Sequence, residues 1–333
     1  MIDNIRFNFR FKPKEDWFDQ LENNSSFKKI WSSGICKALK GKLFLDENVK
    51  KKENGKPKPS LLIEILFLEN KEVKVVVSNS LRKWFFDASN TRDFNKFQFE
   101  ECLNLISEKL NISQDILLGS KVTKAEYGAN LSFREEYRCY YACIGSHYDL
   151  KKKCIYGDET IEFKGENRSV IFYDKVAEQK GKTFKAKNQK KLNAVTLLLR
   201  YEIKIEKMSG APEKPLMSYL HDILKNWDLI ADLWYEELDK ITFVNNMNPK
   251  VYSYLKDVKI KPIKDYLIYL GIRNLGSENL RLILSDRIYA RIRKSTSDSL
   301  DKIYEEFNSM VQEEDFEKLF RVKVQEKVEK LKA

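Results

Sequence analysis

The chain has 333 residues, and 61 Lys and Arg against 50 Asp and Glu leave a net charge of +11. A hydrophobic share of 42% and an aromatic share of 12% exclude a disordered basic tail, no run approaches the roughly 18 to 20 apolar residues of a membrane helix, and the charged start MIDNIRFNFRFKPKED has no signal-peptide core. A folded cytoplasmic protein with an anionic partner and no membrane association is therefore expected, and its five cysteines, an odd number, form no disulfide framework.

In chain order, NIRFNFRF (4–11) alternates apolar and polar side chains with period two and reads as a half-buried strand. A lysine-rich hinge, KKKENGKPKP from Lys50 to Pro59, separates KLFLD from the strand-like SLLIEILFL. KEVKVVVS follows the turn residues Glu69 and Asn70, so antiparallel hairpins are expected. Between Phe97 and Leu110 apolar residues recur at three and four spacing and Asn111 supplies a stop, which predicts a helix lying on the sheet. Strands resume with KVTKAEYGANLSF at Lys121. ETIEFK (Glu159 to Lys164) and SVIFYDK (Ser169 to Lys175) flank the turn Gly165-Glu166-Asn167, and VTLLLRYEIKIE (Val195 to Glu206) follows. After Gly210-Ala211-Pro212 the patterns turn helical. The expected architecture is α+β: an antiparallel sheet with helices packed on one face over residues 1–210, then a helical region over 211–333 with a DNA-binding or accessory role. No repeat of fixed period stands out, although the early and middle β regions are open to reading as two similar strand-helix halves.

The positive charge is concentrated. Residues 121–214 hold 20 Lys or Arg and 13 Asp or Glu, a surplus of 7 out of the total 11. Within them KGKTFKAKNQKK carries Lys180, Lys182, Lys185, Lys187, Lys190 and Lys191 with no acid, as a basic helix or a solvated loop. A second concentration, RLILSDRIYARIRK, sets Arg287 and Arg291 on one helical face, suited to lie along phosphates. The same segment also reads as the second helix of a helix-turn-helix, with Arg281 beside them, or as plain helix packing.

Three acids sit inside strand patterns. Glu126 lies in VTKAEYGANL. In LLLRYEIKIE strict alternation sets Leu197, Leu199, Tyr201, Ile203 and Ile205 on one face and Arg200, Glu202, Lys204 and Glu206 on the other. In SVIFYDKVAE, Tyr173 and Lys175 share a face, and Asp174 is placed to cap a helix with Glu178 one turn in. Acids on adjacent strands repel unless a cation lies between them, and oxygen-only ligands favour Mg2+ or Mn2+.

Three of these segments carry a resemblance. VTKAEYGANL is similar to the V-T-R-I-D strand, SVIFYDKVAE to the Y-D-K-x-x-E motif, and LLLRYEIKIE to the L-x-R-x-E-x-[RK] strand of the phage and plasmid replication initiators of the gene II/X family, which are related to the non-histidine rolling-circle initiators. The motifs occur in the family's order within residues 1–210. The chain departs at Glu126, where Asp is usual, and at Ala125, where a branched apolar residue is usual. The resemblance implies an endonuclease that nicks one strand at a replication origin through a tyrosine-DNA intermediate and rejoins it for rolling-circle replication. It also implies Mg2+ or Mn2+ as cofactor and origin DNA, single-stranded or supercoiled, as partner, with host replication proteins beside it. Tyr173 is then the nucleophile, with Lys175 as its helper and Tyr201 as second candidate. Glu126, Glu178 and Glu202 become the metal group, with Asp174 a ligand or a cap. The lysine run, Arg200, Lys204, Arg287 and Arg291 contact DNA. The alternatives are a non-catalytic DNA-binding replication regulator and a metal nuclease that uses water.

Other chemistry is set aside. His147 and His221 are too far apart to form the His-hydrophobic-His pair of one large class of DNA-nicking enzymes, and no G-x-S-x-G turn accompanies either. Cys139, Cys143, His147 and Cys154 hold the atoms of a zinc site, at spacings that match no common knuckle.

Overall fold

The computed structural model describes residues 1–33, 38–46, 58–86, 92–156, 160–181, 196–244, 260–275, 300–312 and 316–333. The strands are β1 (Ile2–Phe11), β2 (Phe27–Ser33), β3 (Ala38–Phe44), β4 (Ser60–Phe67), β5 (Val73–Ser80), β6 (Lys121–Arg134), β7 (Ile144–His147), β8 (Lys152–Tyr156), β9 (Thr160–Lys164), β10 (Arg168–Asp174), β11 (Thr196–Ile205) and β12 (Ile241–Phe243). Ten of them make one sheet in the order β2-β3-β4-β5-β1-β6-β11-β10-β9-β8, and β12 pairs with β7 apart from it. Every neighbouring pair in the large sheet is antiparallel.

Period-two patterning gives this sheet one apolar face. Ile5, Phe7, Tyr127, Leu199, Tyr201 and Phe172 all point to it and are buried, and each such side chain contributes roughly 1.5–3 kcal/mol on burial. Helices α1 (Trp17–Asn23), α2 (Leu81–Phe85), α3 (Lys96–Leu110) and α4 (Gln114–Leu118) come from the first half of the chain. In α3 the residues Phe99, Cys102, Leu103, Ile106 and Leu110 recur at three and four spacing and are buried. Asn95 caps its start, and Asn111, in left-handed conformation at φ 48°, ends it.

Helix α5 (Lys175–Gly181) follows β10 directly. Beyond β11 come α6 (Lys214–Met217), α7 (Leu220–Lys225), α8 (Trp227–Glu236), α9 (Ile260–Leu275), α10 (Leu300–Gln312) and α11 (Phe316–Lys332). Tyr201 is sandwiched between Phe172 at 4.7 Å and Trp234 of α8 at 5.0 Å, with Phe320 of α11 at 6.0 Å. Trp227 donates to the Leu331 carbonyl at 2.8 Å. The change to helical sequence near residue 210 is therefore a change of element type and not a break in the core, because α8 and α11 complete the core that the sheet begins. Among the described residues α9 and α10 keep a separate cluster, built on Tyr266, Tyr269, Ile303 and Phe307.

One position in β6 admits no side chain. A Cβ on Gly128 would stand 2.2 Å from the Tyr201 carbonyl oxygen and 2.6 Å from the Glu202 Cα, so β6 and β11 approach here more closely than any other residue allows. Gly128→Ala is expected to cost about 1–3 kcal/mol, the usual toll of overpacking, in urea denaturation. An unchanged midpoint would show that the strands part freely at this point.

Candidate active site

The polar face of β6, β11 and β10 holds Glu126, Tyr173, Arg200, Glu202 and Lys204 of the residues marked by the sequence. Register sets Gly128 opposite Glu202, Glu126 opposite Lys204, and Asn130 opposite Arg200. It sets Tyr173 opposite Arg200 on the other side of β11. The Tyr173 hydroxyl lies 3.4 Å from Glu202 Oε2, to which it donates, and accepts from Lys175 Nζ at 3.1 Å. The same ammonium reaches Glu178 Oε2 at 2.6 Å and sits 5.0 Å from the Tyr173 ring centroid. Helix α5 makes this possible. Asp174 Oδ1 accepts from the backbone of Val176 at 2.8 Å and Ala177 at 3.2 Å, starting the helix that carries Lys175 and Glu178 back toward the tyrosine. Asp174 is thus the cap of the two roles open to it.

Beneath the tyrosine lies a buried ionic cluster centred on Arg200, which is 0% exposed. Its guanidinium reaches Glu202 Oε2 at 2.8 Å, Asp3 Oδ2 at 3.0 Å and Asp93 Oδ1 at 3.1 Å. Asp3 also takes Arg82 at 2.8 Å and the Ser80 hydroxyl, and Asp93 takes Lys327 of α11 at 2.7 Å. Arg200 is therefore not the surface DNA contact expected from the sequence. It occupies the polar face of an interior strand, and a guanidinium that keeps its proton can be buried there only if carboxylates surround it. Burial would raise the Asp3 carboxyl, but Arg200 and then Arg82 outweigh it and hold it well below the usual carboxylate range. Asp93 is lowered in the same way by Arg200 and Lys327.

Glu126 behaves oppositely. Burial and the neighbouring Glu202 carboxylate push it up to about 7, against a weaker pull from Lys204 at 3.7 Å. Burial and Glu202 likewise raise the Tyr173 phenol above its ordinary 10, and burial lowers the Lys175 ammonium against the opposing effect of Glu178. The face thus carries, beside Glu202, a Glu126 carboxyl that resists being charged and a phenol that keeps its proton.

Tyr201 stands apart. It faces the opposite side of β11, is 0% exposed, and donates to the Trp234 carbonyl at 3.1 Å. As packed, its hydroxyl has no route to the polar face. Lys204 lies on that face, between Glu126 and Glu206 at 2.9 Å. Lys180 falls within α5, while Lys182, Lys185, Lys187, Lys190, Lys191, Arg281, Arg287 and Arg291 lie outside the described residues. The zinc reading fails on His147. Its Nδ1 accepts from the amides of Asp149 and Leu150, each at 3.1 Å, and its Nε2 meets Glu237 at 2.8 Å, so the buried ring has no lone pair left for an ion. Among the described residues no three His, Cys, Asp or Glu side chains converge to hold a metal.

Sequence reasoning missed Asp3, Asp93, Arg82 and Lys327. Asp3 precedes the alternating run that starts at Asn4, and Asp93 follows no pattern. β1 begins opposite Tyr127, and beyond that point the Asn130 amide donates to Asp93 at 3.1 Å where a strand partner would otherwise stand. The chain matches no protein-family model, no curated protein and no solved structure.

Two outcomes test this electrostatic picture. Arg200→Met leaves Asp3, Asp93 and Glu202 without their shared cation and is expected to cost about 3–5 kcal/mol, whereas Lys204→Met at the half-exposed rim should cost less than about 1 kcal/mol. Equal urea midpoints for the two variants would remove Arg200 from the centre of the cluster. For Glu126, the folded pKa near 7 lies above the ordinary 4.5. The stabilisation by its protonated form is therefore complete below about pH 4.5 and lost as the pH rises through 7. Glu126→Gln should gain about 1–3 kcal/mol on wild type between pH 4.5 and 8, and parallel pH profiles of the two proteins would contradict it.

Proposed function

We propose that the protein nicks and rejoins one strand of DNA with Tyr173 as nucleophile, as the initiators of the gene II/X family that it resembles do. The observation that carries this reading is the Tyr173 hydroxyl, held between a lysine donor and a carboxylate acceptor on the polar face of the sheet, in a chain of net charge +11.

The chemistry follows from those contacts. The phenol oxygen attacks the scissile phosphorus and its proton passes to Glu202, the carboxylate it already faces. The Tyr173 O–P bond forms as the P–O3′ bond breaks, and the departing 3′ oxygen takes up one proton. Because the phosphotyrosine retains the energy of the broken ester, the same steps run backward to seal the strand. Lys175 donates to the phenol oxygen and stabilises negative charge that develops there. Arg200 holds Glu202 in place from below.

A divalent cation fits the donor set. Glu126 and Glu202 are diagonal neighbours across Gly128, and a magnesium or manganese ion is often held by only two carboxylates with substrate phosphate and water completing its shell. The mutual repulsion that raises Glu126 is what such an ion would relieve. When bound it would supply Lewis-acid stabilisation of the phosphate oxygens.

Incubation of supercoiled origin DNA with the protein and Mg2+ or Mn2+, followed by denaturing electrophoresis, tests the proposal. A covalent protein-DNA adduct that is lost in Tyr173→Phe is expected, and nicking should fall at least a thousandfold in that variant. An adduct that survives Tyr173→Phe would assign the nucleophile elsewhere. Nicking without adduct would mean that water attacks, and a gel shift without cleavage would leave a DNA-binding regulator.

A further inference from the structure

The sheet order is a palindrome of topology. Reading outward from its centre, β1-β5-β4-β3-β2 on one side answers β6-β11-β10-β9-β8 on the other, with β1 and β6 antiparallel at the middle. Matching Asn4–Phe11 of β1 to Lys124–Leu131 of β6 and following the register outward carries every other strand of the first unit onto its counterpart. The apolar and polar faces coincide as well. Ile5, Phe7 and Phe9 fall on Ala125, Tyr127 and Ala129, all buried. The chain therefore contains one five-stranded unit twice.

The two copies differ where the chemistry lies. Arg6 stands at the place of Glu126, Val76 at that of Glu202, Lys74 at that of Arg200, and Leu66 at that of Tyr173. The first copy also lacks the helix that brings Lys175 to the tyrosine. β4 and β5 are joined by a short turn with Asn70 at φ 64° and Lys71 at φ 58°, whereas α5 and the chain after it separate β10 from β11. Both carboxylates and the phenol are gone, and two of the four places hold a cation.

The face that results is basic and carries an aromatic side chain. Trp31 of β2 is 53% exposed and pairs with Lys40, while Lys28 pairs with Lys42. Lys40 is 2.7 Å from Glu64, but Lys28, Lys42, Lys74 and Arg10 have no ion-pair partner among the described residues. A groove of about 360 Å³ lined by Arg6, Ser78, Lys124, Glu126 and Lys204 joins this face to that of the second copy.

We propose that the first copy is a non-catalytic duplicate whose open face binds single-stranded DNA, with Trp31 as a stacking platform and Lys28, Lys42, Lys74 and Arg10 as phosphate contacts. Seven strand steps of about 4.8 Å separate Tyr173 from Trp31, a track of about 34 Å that spans several nucleotides. An isolated exposed indole on a lysine-bearing sheet suits unpaired bases, whose faces are free to stack, and offers nothing to a duplex whose bases are already stacked. The inference deepens the nicking reading by assigning the surface that holds DNA beside the cut, but its test does not require cleavage.

The test measures binding of a fluorescent single-stranded 30-mer of mixed sequence by anisotropy, with the full chain and in EDTA. Trp31→Ala is expected to weaken binding about tenfold, and Lys42→Glu with Lys74→Glu to flatten the dependence of log K on log salt by roughly 1.4, or 0.7 per lost phosphate contact. Lys214→Glu with Lys330→Glu, at exposed positions of α6 and α11, is the control of equal charge change and should lower affinity far less. Circular dichroism checks that the variants remain folded. Affinity unaltered in both first-copy variants would overturn the proposal, as would binding of a duplex 30-mer as tight as that of the single strand. If the protein never cleaves DNA yet the Trp31 and lysine variants bind weakly, the nicking reading fails and this one stands.

Discussion

Burying Arg200 constrains much of the rest of the structure. A guanidinium cannot shed its proton to escape a low-dielectric interior, so a chain that places one on an interior strand must bring carboxylates to it from elsewhere. Here they come from β1, from the segment before α3 and from β11 itself. Asp3 then requires Arg82 from α2, and Asp93 requires Lys327 from α11. One buried charge thus ties the first strand, two connecting segments and the last helix to the centre of the sheet. Such a cluster is costly to assemble and more costly to leave incomplete, so its value lies in fixing geometry more than in adding stability. The geometry it fixes is that of Glu202, whose Oε2 is shared between Arg200 and the Tyr173 hydroxyl.

That shared oxygen gives the polar face an internal tension. Glu202 accepts a hydrogen bond from the phenol, yet its charge also raises the phenol and its neighbour Glu126. Lys175 offsets part of this, but the same burial that aims it at the tyrosine lowers its own pKa. Burial and Glu202 favour the protonated phenol, so under the proposed nicking reading additional positive charge among the carboxylates would be needed before attack.

The sequence disclosed the parts of this arrangement that obey a period and concealed the parts that do not. Alternation in LLLRYEIKIE separated Tyr201 from Glu202 correctly, because the two faces of a strand are enforced by geometry. The cap at Asp174 was legible because the Asp precedes a helical stretch with Glu178 one turn in. Arg200 was misjudged for a reason that alternation cannot supply: a polar face reads the same whether it meets solvent or other charges, and only the sheet order shows that β11 is interior. Asp93 and Lys327 are joined to Arg200 by contacts more than a hundred residues apart, which no local pattern encodes. The edge strand β2 was missed because Lys28, Lys29, Ile30 and Trp31 are all exposed and break the alternation.

The palindromic sheet order gives the asymmetry of charge a structural origin. Two copies of a five-stranded unit meeting through their first strands have equivalent faces, and the Tyr173 cluster lies on that of the second. In the second copy β10 is followed by a helix that returns Lys175 and Glu178 to the strand end, whereas in the first the turn at Asn70 and Lys71 closes too tightly for any such helix. Without that helix a tyrosine at the position of Leu66 would have no cation beside it, and the carboxylates would have no phenol to serve. Their replacement by Arg6 and Val76 removes repulsion that nothing would repay. With Glu64 paired to Lys40 and Arg6, the first face presents lysines and one exposed indole, so the polar faces of the two halves of one sheet differ in charge: carboxylates at the centre of one, cations over the other.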